Sequence, residues 1–584
     1  MTQPLASPVM ADRPSSAPAL AARLGALLAS PRARVLVPLA GVLLTLPSIA
    51  GGLVFDDVAI RARVLGRFGT SLADRLDVFA FFPADPVQRA RLAEAGLVPW
   101  FAAPDSHIAF FRPLSAALHF VDYSLLARWP WLMHAESLAL YAALIAVAAA
   151  FYRRLLPSGV AMLAALLYAI DDGHGIPVGW LANRNALVAA LFGFAAVLFY
   201  DRGRRDGDRA AARLGPLAFA LSLLAGEGGV ACLAYLGAHA VTLDRAPLAQ
   251  RARALAPYLV VVVVWQIVYR RLGYGAYGSG AYLDPIGAPR PFFAALPGRA
   301  VGLLVGLFAA PPAVTFTMAT GAARTALVAA GAVVVAILLR AVAAHVRASP
   351  EARFFALGAV GSVAPAVAAL CDDRLLVFAG LGAFGLVASV LGDLRAPPPR
   401  DAPPLFRGVR RAWIALHLVL APLLLPFAAM VPPIMARVAA PPAPLVKDVA
   451  GETLVVANVP TALMVLPWLF PSDLSDAPPA RARPLVATMG RVAWAREDAR
   501  TVRVDLPPGA QPDPLFSLLR DPAHPLHEGD VFDVPGMRAE VFRVDRDHAP
   551  TGVRFRFDRD LDDPSLHWVA YDGTFRAIGP PKGR

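Results

Sequence analysis

Apolar runs long enough to cross a bilayer recur along this chain, and they constrain its fold more than any other feature. The first begins near Val35 and runs through Leu36-Val37-Pro38-Leu39 to Val54-Phe55. Others lie near 135–151, 159–170, 186–200, 214–224, 229–242, 255–269, 292–317, 322–345, 353–370, 375–391 and 412–436. A hydrocarbon core about 30 Å thick asks for roughly 20 apolar residues per helix. In lipid the backbone polar groups must be satisfied within the segment, so such runs become helices. Only 17% of the 584 residues are charged, against about 25% in a soluble globular protein. The pattern predicts an α-helical polytopic membrane protein with about 11–13 membrane helices.

The net charge is +12, and the arginines sit between the apolar runs. They do not form the single basic face that nucleic-acid binding needs. Arg153-Arg154, Arg202 through Arg205, Arg251-Ala252-Arg253 and Arg407 through Arg411 mark cytoplasmic ends by the positive-inside rule. The expected setting is the plasma (inner) membrane, with the N-terminus cytoplasmic. Asp56-Asp57, Asp171-Asp172, Glu227 and Asp372-Asp373-Arg374 then share the extracytoplasmic side. The run 292–317 breaks this alternation unless Pro311-Pro312 divides it into a hairpin or surface element.

Composition divides the chain further. Residues 1–30 are rich in Pro, Ala and Ser and read as a disordered cytoplasmic tail, followed by a transmembrane domain over 31–440. Within it, 55–130 reads as a first extracytoplasmic loop of interfacial helices, because its apolar runs are short and broken by Pro83, Pro86 and Pro99. From Pro441 the period changes. Thr453-Leu454-Val455-Val456-Ala457-Asn458-Val459, Thr501 through Leu506 and Val553 through Asp558 alternate as half-buried strands do. Residues 441–584 therefore read as a small β-rich extracytoplasmic domain. Cys232 and Cys371 both fall in the apolar region, so no disulfide framework supports that domain.

Asp56-Asp57 follows the first apolar run directly. Two adjacent carboxylates at the mouth of a membrane helix belong in water, either as a polar edge or as a site for chemistry. Phe55-Asp56-Asp57, Phe111-Arg112-Pro113-Leu114, then His174, Trp180 and Arg184, then Ala225-Gly226-Glu227 and Asp373-Arg374-Leu375-Leu376 follow one another in order. This series resembles the GT-C superfamily of glycosyltransferases, especially bacterial relatives of the tetratricopeptide-linked transmembrane mannosyltransferases. The resemblance covers about residues 35–395. Against that pattern, Ile176 stands where the second loop carries a glutamate, Ala186 where an acid follows the loop arginine, and Gly226 where a lysine precedes the glutamate.

The resemblance implies transfer of a sugar from a polyprenyl-phosphate donor to the hydroxyl of a glycan, lipid or protein acceptor outside the cytoplasm. Asp56 or Asp57 is then the candidate catalytic base. Alternatively, the two hold a divalent cation, magnesium or manganese, through oxygen ligands. Arg112, Arg184 and Arg374 are candidates to stabilise the departing lipid phosphate. Asp171, Asp172, His174, Trp180 and Glu227 are supporting pocket residues.

Plainer readings stand beside these. Asp171-Asp172-Gly173 also makes an ordinary polar turn, Arg374 can simply pair with Asp372 or Asp373, and Tyr274, Tyr277 and Tyr282 suit an aromatic belt as well as a sugar platform. A catalytically weakened scaffold of the same fold is the alternative function. A transporter fits less well, because it would place charge on broken helices at mid-membrane.

Overall fold

The structure is a computed structural model that describes residues 16–582 apart from 68, 70, 396–401, 472–476, 489–491 and 507–516. Every apolar run identified above becomes helix. Among the described residues eight helices are long and apolar enough to cross a membrane: Ala33–Ala50, Pro130–Leu155, Leu181–Arg205, Leu248–Arg271, Pro289–Phe308, Gly321–Ala348, Asp373–Leu391 and Pro404–Ala439. Ser158–Ala169, Arg209–Ala225, Cys232–Thr242 and Pro350–Ala366 are shorter and account for the difference from the predicted number. Two of them, at 12 and 11 residues, stop below the usual spanning length, and the other two, at 17, reach only its lower limit.

Without water, tyrosine hydroxyls bond the helices together. Tyr152 donates to the Leu381 carbonyl at 2.7 Å, Tyr235 to Phe378 at 2.6 Å and Tyr168 to Val377 at 3.1 Å. Gly382 lets two helices touch backbone to backbone: a Cβ there would meet the Phe355 oxygen and the Ala359 nitrogen at 2.5 Å. At one end of the bundle the basic clusters engage acids. Arg154 pairs with Asp201, Arg204 Nε lies 2.7 Å from Asp244 and His239 Nε2 lies 3.0 Å from Asp201. Helix Pro289–Phe308 ends where the proline break was expected, and a short helix, Val314–Met318, follows.

The N-terminal segment differs from its reading as a disordered tail. Residues 1–15 lie outside the described residues, but Ser16–Ala29 is helical. Its Ala/Leu-rich sequence favours helix, and Leu28 is buried in the membrane core.

The first outer loop carries helices Asp56–Val64, Leu72–Leu76, Pro86–Ala95 and Pro113–Leu125. It also contains strands β1 (Ala80–Phe82) and β2 (His107–Ala109), which with β3 (Gly275–Tyr277) form an antiparallel sheet in the order β1-β2-β3. Three-residue strands are too short to show alternation in sequence.

Over this loop sits the β-rich C-terminal region. It contains β4 (Thr453–Val459), β5 (Arg481–Ala487), β6 (Ala493–Arg496), β7 (Thr501–Asp505), β8 (Val531–Val534), β9 (Met537–Val544), β10 (Pro550–Phe557), β11 (Leu566–Tyr571) and β12 (Phe575–Ala577). One sheet runs β6-β7-β10-β9-β8, all antiparallel; the other runs β12-β11-β4-β5, with β11, β4 and β5 parallel. Val502, Val504, Val541, Val553 and Phe555 fill its core. Trp100 Nε1 donates to the Leu485 carbonyl at 2.8 Å, Arg520 Nε to Phe101 at 2.6 Å and Arg61 Nη2 to Pro471 at 2.6 Å. The domain is thus bonded to the loop that carries the acidic pair.

Candidate functional site

The two aspartates have different surroundings. Phe55 turns the chain at φ +45°, ψ −113°, and helix Asp56–Val64 begins at once. A non-glycine residue held there costs on the order of 1–3 kcal/mol and persists only where the surroundings enforce it. Asp57 does much of the enforcing. Its Oδ2 accepts from the Val54 N–H at 3.0 Å, and its Oδ1 accepts from the Ala182 N–H at 2.7 Å and the Tyr123 hydroxyl at 3.2 Å. The residue is fully buried, and it staples the end of the first membrane helix to the second outer loop. Burial pushes its carboxyl up to about 7 in spite of the two backbone donors.

Asp56 faces a cavity of about 680 Å³ instead. Burial lifts its pKa to about 6, opposed by the nearby charges of Arg374 and Arg112.

Arg112 precedes helix Pro113–Leu125. Its Nε donates to Glu227 Oε2 at 2.9 Å and its Nη2 to the other oxygen, a two-point pairing. Phe110 and Phe79 lie beneath the guanidinium, with ring centroids 4.4 and 4.9 Å away. Glu227 opens a turn after the extended Gly226. Burial drives its carboxyl up, but the charge and hydrogen bonds of Arg112 hold it below the usual range. Arg374 lies over the Trp180 ring at 5.4 Å, with Nε 3.3 Å from Asp372. The plainer sequence reading of an Arg374–Asp372 pair is therefore realised, with Arg374 still lining the cavity.

Asp56, Arg112, Trp180, Glu227 and Arg374 all line this one cavity. Apolar and aromatic walls come from Val262, Val263 and Trp265 on one helix, Phe292 on a second and Pro365 near the end of a third. One compartment thus holds charged side chains beside apolar walls.

The remaining candidates stand elsewhere. Arg184 is 2% exposed and is not in the cavity lining. Its guanidinium pairs with Asp122, reaches Glu136 at 3.0 Å and donates to Ser137 Oγ at 3.0 Å and the Met133 carbonyl at 2.7 Å. With its donors committed in this way, the phosphate role expected for Arg184 does not fit. Asp171 accepts from the Gly173 N–H at 3.1 Å and caps the turn Asp172–His174, so this pair makes the polar turn of the plainer reading. The His174 ring is buried against Tyr168 (4.3 Å between centroids) and Tyr141 (5.7 Å), and burial pulls its pKa to about 3. Gly179 holds this loop against helix Pro404–Ala439, since a Cβ there would lie 2.0 Å from the Ala429 oxygen.

The adjacent pair does not suit a shared divalent cation. Both Asp57 oxygens face N–H or O–H donors, so of the adjacent pair only Asp56 offers oxygens to the cavity, whose lining also holds three arginines. No group of three His, Cys, Asp or Glu residues close enough to hold a metal occurs among the described residues.

Sequence reasoning passed over several lining residues: Gln266, Tyr269, and the Arg270–Asp284 pair, whose Nη2 and Oδ1 are 2.5 Å apart. The signal available was Asp284-Pro285, a polar break between apolar runs. Of the three tyrosines weighed as platform or belt, Tyr282 lines the cavity, Tyr274 donates to Asp77 at 3.0 Å and Tyr277 is exposed.

No family model and no curated protein matches this chain. Among solved structures it is similar to the Archaeoglobus fulgidus oligosaccharyltransferase tethered to an acceptor peptide containing the NVT sequon. The TM-score is 0.33 at 13% identity, over 69% of this chain and 55% of that one. The chain thus spans about half the length of that protein. A likeness of that size leaves the family open.

Proposed function

We propose that this protein is an integral membrane glycosyltransferase of GT-C type, moving a sugar from a polyprenyl-phosphate donor to an extracytoplasmic acceptor hydroxyl. The observation that carries the reading is a single cavity lined by the carboxylate of Asp56, the guanidinium of Arg374 and apolar walls, with the Arg374 charge acting on Asp56. The prenyl chain lies along Val262, Val263 and Phe292, and the phosphate sits toward Arg374 and the Arg112–Glu227 pair. Asp56 accepts the acceptor's hydroxyl proton as that oxygen attacks the anomeric carbon. The bond from that carbon to the phosphate oxygen breaks, and the charge released onto the lipid phosphate is stabilised by Arg374. No step runs through a metal ion. The basic clusters at the far end of the bundle support a cytoplasmic placement for that end, with the β-rich domain outside.

Two measurements follow. A pKa of about 6 makes Asp56 a base at neutral pH, so kcat/KM is expected to rise with pH through about 6 and to level off above it. A profile flat from about pH 5 to about pH 8 removes Asp56 from that role. For Arg374→Ala we expect kcat to fall by about 10²–10³, the loss typical of one transition-state charge partner. Transfer from a polyprenyl-phosphate sugar in reconstituted membranes is the assay for both.

A further inference from the structure

The carboxyl ends of β4, β5 and β11 border a second cavity, of about 510 Å³. It shares no lining residue with the cavity that holds Asp56. The three strands run parallel, in the order β11-β4-β5. After β4 the chain steps to β5 on one side, and it later returns as β11 on the other. Open sheets of parallel strands take ligands beyond their carboxyl ends, at such a change of side.

The sheet forks at this point. The β11–β4 ladder ends at Val569 and Val456. Beyond it the Asn458 side chain stands in for a backbone partner: its Nδ2 donates to the Tyr571 carbonyl at 2.9 Å, and its Oδ1 accepts from the Tyr571 N–H at 3.3 Å. A side chain set between two strand ends holds them apart, whereas β4 and β5 stay paired through Val459 and Ala487. Trp494, on β6 of the other sheet, completes the lining, its ring edge-on to Trp568 with 6.5 Å between centroids. Asp572 follows β11, and its Oδ2 lies 3.0 Å from Arg576, which is outside the lining. Both of those side chains are more than half exposed, so water screens the pair.

The lining selects among ligands. An amide, a hydroxyl and a carboxylate, from Asn458, Thr488 and Asp572, stand beside the rings of Trp494 and Tyr571. No Lys or Arg lines the cavity among the described residues, so an anion would meet a carboxylate without a cation to pair with. An acyl chain would cover the polar groups and give them no partner, which costs free energy. A neutral saccharide meets both conditions, with apolar ring faces for an aromatic side chain and hydroxyls at its edge for the carboxylate and the amide. We propose that this cavity binds a neutral saccharide, stacked on Trp494 and held by the Asp572 carboxylate. The inference stands on the β-rich domain alone and does not need the transferase reading.

The test is saturation-transfer NMR on the full chain in nanodiscs, with empty nanodiscs as background. The probes are methyl mannoside, methyl glucoside, methyl galactoside and N-acetylglucosamine, with a linear tetramer of each, and inorganic phosphate is the competitor. At least one sugar is expected to show protein-dependent saturation that phosphate does not displace. Trp494→Ala and Asp572→Ala are each expected to raise the midpoint of its titration about tenfold, as loss of one stacking or charge-assisted contact does. Asp572→Ala removes an exposed side chain, so its result stands even where Trp494→Ala unfolds the domain. Saturation of none of the sugars overturns the proposal. So does a midpoint unchanged in Asp572→Ala, displacement by phosphate, or a response lost in Arg374→Ala, which would put the sugar in the Asp56 cavity.

Discussion

Replacing Asp56 by Asn is expected to abolish the proposed sugar transfer and to leave the fold intact. The side chain keeps its size, and among the described residues its carboxylate makes no hydrogen bond that would be lost; the charges of Arg374 and Arg112 act on it. What disappears is the proposed proton acceptor. General-base removal costs about 10²–10⁴ in rate, and the loss is expected in kcat with the donor's KM nearly unchanged. Asp57→Asn gives the opposite outcome. An amide cannot accept from Val54 and Ala182 through both positions, so one buried N–H loses its partner and stability falls by about 1–3 kcal/mol. Thermal unfolding measured beside the transfer assay separates the two variants. Full activity in Asp56→Asn sinks the proposed base; full activity and an unchanged melting temperature in Asp57→Asn sink the assignment of Asp57 as the staple.

That contrast also shows where sequence runs out. The membrane helices were readable because length and apolarity are local properties, and strands such as Thr453–Val459 were readable because alternation is local too. Asp56 and Asp57 are adjacent in sequence but about 100° apart around a helix. Which of them faces the cavity depends on where Ala182 and Tyr123 stand, and those residues arrive from distant segments. The same holds for Arg184, whose place after Trp180 gave no hint of Asp122. Arg112 and Glu227 were both singled out, but their two-point pairing joins residues 115 positions apart. Strands β1 to β3 escaped notice for the reason that makes them useful: a three-residue strand can close a loop over the cavity without leaving a periodic trace.

Arg184→Ala should be the most destabilising single change in the neighbourhood, with little direct effect on donor binding. The guanidinium and Asp122 are 3% and 5% exposed at their side chains, so truncation leaves an uncompensated charge where water cannot reach it. Breaking a buried pair in this way costs about 3–5 kcal/mol. Glu136 adds little, because its side chain is 46% exposed and its arm of the network is screened. The double variant Arg184→Met with Asp122→Asn removes both charges and should recover much of the loss, since apolar or neutral replacements of a buried pair are often tolerated. Melting temperatures of the single and double variants in nanodiscs, together with donor titrations, decide the matter. If Arg184→Ala melts like the parent but binds donor poorly, the arginine belongs to the phosphate site after all. If it melts early while donor affinity per folded molecule is retained, it is the buried strut behind the wall that holds Asp57 and, through it, Asp56.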